Sequence, residues 1–146
     1  QEAMEMLSIL LIDDEEDVHM LVGELLDQSG FRAVHASSVR QALELLREST
    51  PDVLLLDLMM PDMDGFDFAR RLAVMGIADE VPIVVLTALS CDFHEEEVFA
   101  ALPGVLTLLC KPCNWNALEQ ALEGALSPER ASAWRAFRQE VAASVH

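Results

Sequence analysis

Three aspartates, one threonine and one lysine follow short apolar runs in this sequence of 146 residues. They are Asp13, Asp14, Asp57, Thr87 and Lys111. Carboxylates crowded within a few ångströms repel one another, so they stay ionised together only when a cation offsets their charge. Mg²⁺ fits that need best, because it binds one or two carboxylates together with waters and phosphate oxygens. The residue types therefore suggest a magnesium site for a phosphoryl group, provided that the fold brings them together.

An aspartate in such a site can be a nucleophile. A carboxylate oxygen that the metal leaves free can attack phosphorus and form an acyl phosphate. The Thr87 hydroxyl and the Lys111 ammonium would then hold the remaining phosphoryl oxygens. Lys111 is the only lysine in the chain. Its compact ammonium suits a point contact to phosphate. An arginine-biased composition that left one surface lysine would explain the single lysine equally well.

The elements that would position these residues alternate along the chain, as in β-α-β units around a parallel sheet. The predicted strands are Leu7–Ile12, Phe31–Ala36, Val53–Leu56, Ile83–Leu86 and Val105–Leu109. Most of these runs lack polar alternation, which is typical of strands covered by helices on both faces. Side chains at the carboxyl ends of such strands gather in one crevice, so we expect the five polar residues to converge.

Apolar residues at helical spacing predict helices between the strands. The first helix follows Asp14, and Gly30 can close it in a left-handed conformation. The other predicted helices are near Val39–Glu48 after the cap candidates Ser37 and Ser38, near Phe66–Met75, over Asp92–Leu102, and near Asn116–Leu126 after Asn114.

The last segment predicts an amphipathic helix over Pro128–Val145. Ser127 can cap it and Pro128 suits its first position, while Trp134 and Phe137 begin an apolar stripe at nearly helical spacing. The helix could pack on its own domain, pair with another copy or lead into a further domain. Some such contact is favoured, because Trp and Phe are costly to leave in water.

Composition narrows the classes of function. The chain is 52% hydrophobic and 24% charged, which is typical of a folded globular protein. Its formal net charge of −17 disfavours nucleic-acid binding and favours a protein or a metal ion as partner. No apolar run approaches the roughly 20 residues of a membrane span, and three cysteines are too few for a secreted disulfide framework. A cytoplasmic location is therefore expected.

The string from Val53, VLLLDLMMPDMDG, resembles the phosphorylation-site motif of response-regulator receiver domains, which belong to two-component signal transduction. The strings IDDEE, VLTA and CKP match the other three landmarks of that family, and the motifs together cover roughly Leu7–Leu126. The resemblance implies a chemotaxis-regulator-like, flavodoxin-like α/β fold with a doubly wound, five-stranded parallel sheet. Residues 1–126 would be the receiver domain, and residues 127–146 an added C-terminal helix or a linker to a missing domain.

The resemblance also implies roles for individual residues. Asp57 would accept a phosphoryl group from a histidine kinase or a phosphotransfer protein. Mg²⁺ would be bound by Asp14, Asp57 and the backbone carbonyl of Met59, with Asp13 assisting through water. Such a domain catalyses only its own phosphoryl transfer and dephosphorylation, and it switches partner binding. The C-terminal helix would offer a route to a homodimer or an effector domain.

Thr87 would move toward the phosphoryl group on activation, and Lys111 would contact it. One position departs from the family pattern, because most receivers have Tyr or Phe three residues before the lysine and this chain has Leu108. The departure puts the usual aromatic switch in doubt but not the acceptor chemistry.

Four other functions have partial support in the sequence. A degenerate receiver that only binds protein is disfavoured by the intact set of five polar residues. A haloacid-dehalogenase-type phosphatase would need an aspartate two residues after its nucleophile, where this chain has Met59. Cys110 and Cys113 have the C-x-x-C spacing of a redox pair, but the Lys-Pro between them already belongs to the receiver pattern. A zinc site is less favoured still, since the histidines show no matching ligand spacing.

Overall fold

The computed structural model describes residues 7–60, 63–87, 104–110 and 114–145. Its centre is a five-stranded sheet formed by β1 (Leu7–Ile12), β2 (Phe31–Ala36), β3 (Val53–Leu56), β6 (Ile83–Thr87) and β7 (Val105–Cys110). The strands lie in the order β2-β1-β3-β6-β7, and every neighbouring pair is parallel. All five match the predicted strands, and the last two each extend one residue further than predicted. A two-stranded antiparallel ribbon, β4 (Met59–Met60) with β5 (Met63–Asp64), follows β3 and was not predicted.

The helices of the described residues are α1 (Glu16–Gln28), α2 (Val39–Glu48), α3 (Gly65–Val74), α4 (Ile77–Glu80), α5 (Trp115–Ala125) and α6 (Pro128–Val145). Ser38 and Asn114 cap α2 and α5 as predicted, since their side-chain oxygens accept the backbone N–H of Gln41 and Ala117. Gly30 has φ +89°, the left-handed conformation expected after α1. The helix predicted over Asp92–Leu102 lies outside the described residues. None of the described helices is long and apolar enough to cross a membrane.

Two apolar cores lie on opposite faces of the sheet. Along β1, Leu10 and Ile12 join a core that includes Ala42 of α2 and Phe68 of α3. Ile9 and Leu11 face the other way, and they join a core formed with α1, α5 and α6. Successive strand residues point to opposite faces, so a strand covered on both sides must be apolar throughout. This arrangement explains the unbroken apolar runs of the sequence.

Helix α6 packs against its own domain. The Trp134 indole is only 2% exposed, and it stacks on Phe31 at the start of β2, with 4.9 Å between ring centroids. Its Nε1–H donates to the Ser29 carbonyl at 2.7 Å, and the Arg138 guanidinium lies over the ring. Of the three arrangements considered for this helix, the structure therefore shows packing on its own domain. Pairing with another copy and connection to a further domain stay predictions.

Candidate functional site

The carboxyl ends of β1 and β3 bring the acidic residues together. Asp13 follows β1 and Asp57 follows β3, and these neighbouring strands pair Ile12 with Leu56 just before the two aspartates. The ladder continues into the site, because the Asp57 N–H donates to the Ile12 carbonyl at 2.9 Å and the Asp13 N–H donates to the Ala36 carbonyl at 3.1 Å. The backbone of both aspartates is thus held by the sheet.

The three carboxylates form one compact cluster. Oxygens of Asp13, Asp14 and Asp57 all lie within 4.8 Å of one another. Asp13 and Asp57 are almost fully buried, at 1% and 3% exposure, whereas Asp14 is exposed. Burying carboxylates together is costly unless a cation or hydrogen bonds offset their charge. The predicted convergence of these residues is confirmed, and their all-oxygen donor set suits a hard dication such as Mg²⁺.

Asp13 also anchors the turn into α1. Its Oδ1 accepts the Glu15 N–H at 2.9 Å, and its carbonyl lies 2.6 Å from Nε2 of His19. Nδ1 of His19 is 2.8 Å from Nδ1 of His35, on β2. The pKa of His35 is lowered, mainly because the ring is partly buried and also because His19 lies beside it. Asp27 acts in the opposite direction. The sequence showed only that the histidines lack the spacing of zinc ligands, and the contact between His19 and His35 was not predicted.

The remaining predicted site residues are only partly covered by the structure. Thr87 ends β6, and β6 pairs with β3, so its backbone lies at the same end of the sheet as Asp57. Met59 begins β4, two residues after Asp57. Lys111 lies outside the described residues, directly after β7, whose last residue Cys110 pairs with Thr87. The roles of these three residues stay predictions.

Two other sequence observations concern β7. Leu108 is half-buried and packs against the core beneath α2 and α3, so an aliphatic side chain fills the position where most receivers have an aromatic one. Of the predicted C-x-x-C pair, Cys113 lies outside the described residues. The redox alternative is therefore untested by the structure.

Comparison with known proteins identifies the family. The family model described as the response regulator receiver domain matches residues 9–123. The chain is 33% identical to transcriptional regulatory protein AfsQ1 of Streptomyces coelicolor over 82% of its length, and it spans 51% of that regulator. It is 28% identical to sporulation initiation phosphotransferase F of Bacillus subtilis, over 79% of this chain and 90% of the phosphotransferase.

A solved structure agrees with these relatives. The chemotaxis protein CheY4 of Vibrio cholerae superposes with a TM-score of 0.74 at 28% identity, over 84% of this chain and 100% of that protein. The matched residues include the β1 and β3 ends that carry the acidic cluster. The chain therefore belongs to the response regulator receiver domains, which are signalling domains of two-component systems.

Proposed function

We propose that this receiver domain is a phosphorylation switch that takes a phosphoryl group from a histidine kinase or a phosphotransfer protein onto Asp57, with the help of Mg²⁺. The observation that carries the proposal is the acidic cluster at the carboxyl end of the sheet, whose oxygens lie within 4.8 Å of one another. Two of its three carboxylates are buried, and that arrangement favours a site for a charged ligand over a solvated acidic surface.

Asp14, Asp57 and the Met59 carbonyl would hold the metal, and Asp13 would act through a water molecule. Bound there, Mg²⁺ would offset the charge of the carboxylates and of the incoming phosphoryl oxygens. The exposed side chain of Asp14 leaves the cluster open to solvent on one side. That opening gives the metal and the phosphodonor a route to the buried oxygens of Asp57.

Asp57 would make the covalent bond. One carboxylate oxygen attacks phosphorus, a new O–P bond forms, and the donor's P–N or P–O bond breaks with its electron pair staying on the leaving group. The backbone N–H of Asp57 donates to the Ile12 carbonyl of β1 at 2.9 Å, so the main chain that carries the attacking carboxylate is held in place before the donor arrives. Thr87 and Lys111 would hold the phosphoryl oxygens and transmit the change to the partner-binding surface.

Labelling with a small phosphodonor tests this proposal. Incubation with acetyl phosphate and Mg²⁺ is expected to add one phosphoryl group that is stable in acid and labile in base, as an acyl phosphate is. Intact-protein mass spectrometry would detect the added mass, and excess EDTA should prevent it. Equal labelling with and without EDTA would contradict the role of the metal, and an acid-labile product would contradict the aspartyl acceptor.

Lys111→Arg provides a second, sequence-based prediction. The substitution keeps the positive charge but replaces a compact ammonium with a planar fork that fits a point contact poorly. We expect Mg²⁺ affinity close to that of the parent, measured by calorimetric titration, and a loss of phosphorylation-dependent partner binding. If both labelling and phosphorylation-dependent partner binding matched the parent, Lys111 would be an ordinary surface residue.

Partners and context follow from the same proposal. The domain would act in the cytoplasm, where a histidine kinase or phosphotransfer protein presents the phosphoryl group. Residues 1–126 would form the receiver unit, and residues 127–146 the added helix, with a homodimer or an effector domain reached through that helix. The packing of Trp134 on Phe31 couples this helix to the sheet that carries the acidic cluster.

A further inference from the structure

Two histidines connect the acidic turn to a neighbouring strand. His19 lies at the end of the first turn of α1 and His35 lies near the end of β2. Nε2 of His19 is 2.6 Å from the Asp13 carbonyl oxygen, and the two Nδ1 atoms of the histidines are 2.8 Å apart. The chain of contacts therefore runs from β2 through α1 to the backbone of a residue in the acidic cluster.

The partners of the two rings fix where the protons lie. A carbonyl oxygen can only accept a hydrogen bond, so Nε2 of His19 must carry its proton and donate. In the neutral ring, Nδ1 of His19 is then the acceptor, and His35 donates to it from Nδ1–H. The lowered pKa of His35 agrees with a neutral ring in this role. The tautomers are thus assigned from the hydrogen-bond partners for the state in which both rings are neutral.

The fold makes room for the His35 ring at a glycine. Gly23 lies in the middle of α1, where glycine destabilises a helix by about 0.5–1 kcal/mol relative to alanine. A Cβ atom at this position would be 2.7 Å from Cε1 of His35 and 3.2 Å from its Nε2. Any larger residue would thus force the ring to shift, and the absence of a side chain at Gly23 lets His35 lie against the helix and reach His19.

We propose that His19 is a positioning residue for the metal-binding turn, and that His35 holds His19 in its donating tautomer. The sheet holds the Asp13 N–H, and Glu15 holds its side chain. The Asp13 carbonyl belongs to the peptide that leads into Asp14, so a donor on that carbonyl sets the orientation of the peptide and the direction of Asp14. Partners that orient metal ligands typically change metal affinity by about 10-fold to 100-fold when they are removed.

Side chains of graded length at position 19 test this inference, which rests on the proposed Mg²⁺ site. His19→Ala removes the donor, and we expect Mg²⁺ affinity to fall about tenfold in calorimetric titrations. In His19→Gln the amide nitrogen lies where Nε2 was, so this variant should recover most of the affinity. The shorter amide of His19→Asn can reach His35 but not Asp13, and it should behave like His19→Ala. Met20→Gln, a change at an exposed neighbour on α1, is the matched control and should bind Mg²⁺ as the parent does.

A second readout needs no metal. In the metal-free protein, long-range ¹H–¹⁵N spectra above neutral pH should show His19 protonated at Nε2 and His35 protonated at Nδ1. His19→Ala should abolish the Nδ1–H signature of His35, while thermal unfolding checks that every variant is folded. Equal Mg²⁺ affinity in the Ala, Asn and Gln variants, or the opposite tautomers in the parent, would overturn the inference.

Failure of this inference is distinguishable from failure of the proposed function. If the parent gains a phosphoryl group that depends on Asp57 and His19→Ala binds Mg²⁺ like the parent, only the role of His19 is lost. If the parent itself binds no Mg²⁺ in the titration, the proposed function and the inference both fail.

Discussion

Asp57→Asn is expected to abolish phosphoryl incorporation from acetyl phosphate. The amide has nearly the shape of the carboxylate but no anionic oxygen that can attack phosphorus, so no acyl phosphate can form. The substitution also removes one of three clustered negative charges, and mutual repulsion therefore falls. We expect the unfolding temperature of the variant to equal or exceed that of the parent, measured without metal by differential scanning calorimetry. If the variant lost labelling but kept its stability, the loss would come from the missing chemistry and not from a disrupted fold.

Asp52→Asn is the matched control for that variant. Asp52 precedes β3 at the opposite end from Asp57, where it accepts the Ser8 N–H at 2.7 Å and pairs with Arg130. Its loss should lower stability, because a charge-assisted hydrogen bond is weakened, but it should leave labelling at the parental level. If Asp57→Asn still gained a phosphoryl group that was as base-labile as that of the parent, the acceptor would be a different residue.

The central strands β1, β3 and β6 were predictable from the sequence because they are almost entirely buried on both faces. Unbroken apolar runs such as Val53–Leu56 stand out between polar segments, and their predicted bounds agree with the structure to within one residue. The acidic cluster was predictable for a related reason, since the carboxyl ends of parallel strands converge on one edge. The order of strands then places Asp13 beside Asp57.

Features that depend on tertiary contact were harder to predict. The two-residue strands β4 and β5 and the four-residue helix α4 are too short to show a period. The His19–His35 contact joins residues 16 positions apart on different elements, and the Trp134–Ser29 hydrogen bond spans 105 positions. The sequence showed that α6 has an apolar stripe, but the site at which it packs depends on the assembled core.

Trp134→Ala is expected to destabilise the domain by about 3–5 kcal/mol, as large-to-small substitutions of buried aromatic residues do. Trp134 is 2% exposed, and its removal would leave a cavity beside Phe31 and leave the Ser29 carbonyl without its indole donor. For a domain of this size, that loss lowers the unfolding temperature by roughly 10 °C. Chemical denaturation with guanidinium chloride would measure the free energy of unfolding directly.

Trp134→Phe separates the two contributions of this residue. Phenylalanine keeps a ring against Phe31 but loses the Nε1–H donor, so it should destabilise the domain by a smaller amount than alanine. Because Phe31 begins β2 whereas the acidic cluster lies at the carboxyl ends of β1 and β3, both variants should still label on Asp57 at temperatures where they remain folded. If Trp134→Ala unfolded at the same denaturant concentration as the parent, α6 would not be held on its own domain in solution. The helix would then be available to a second copy or to a further domain.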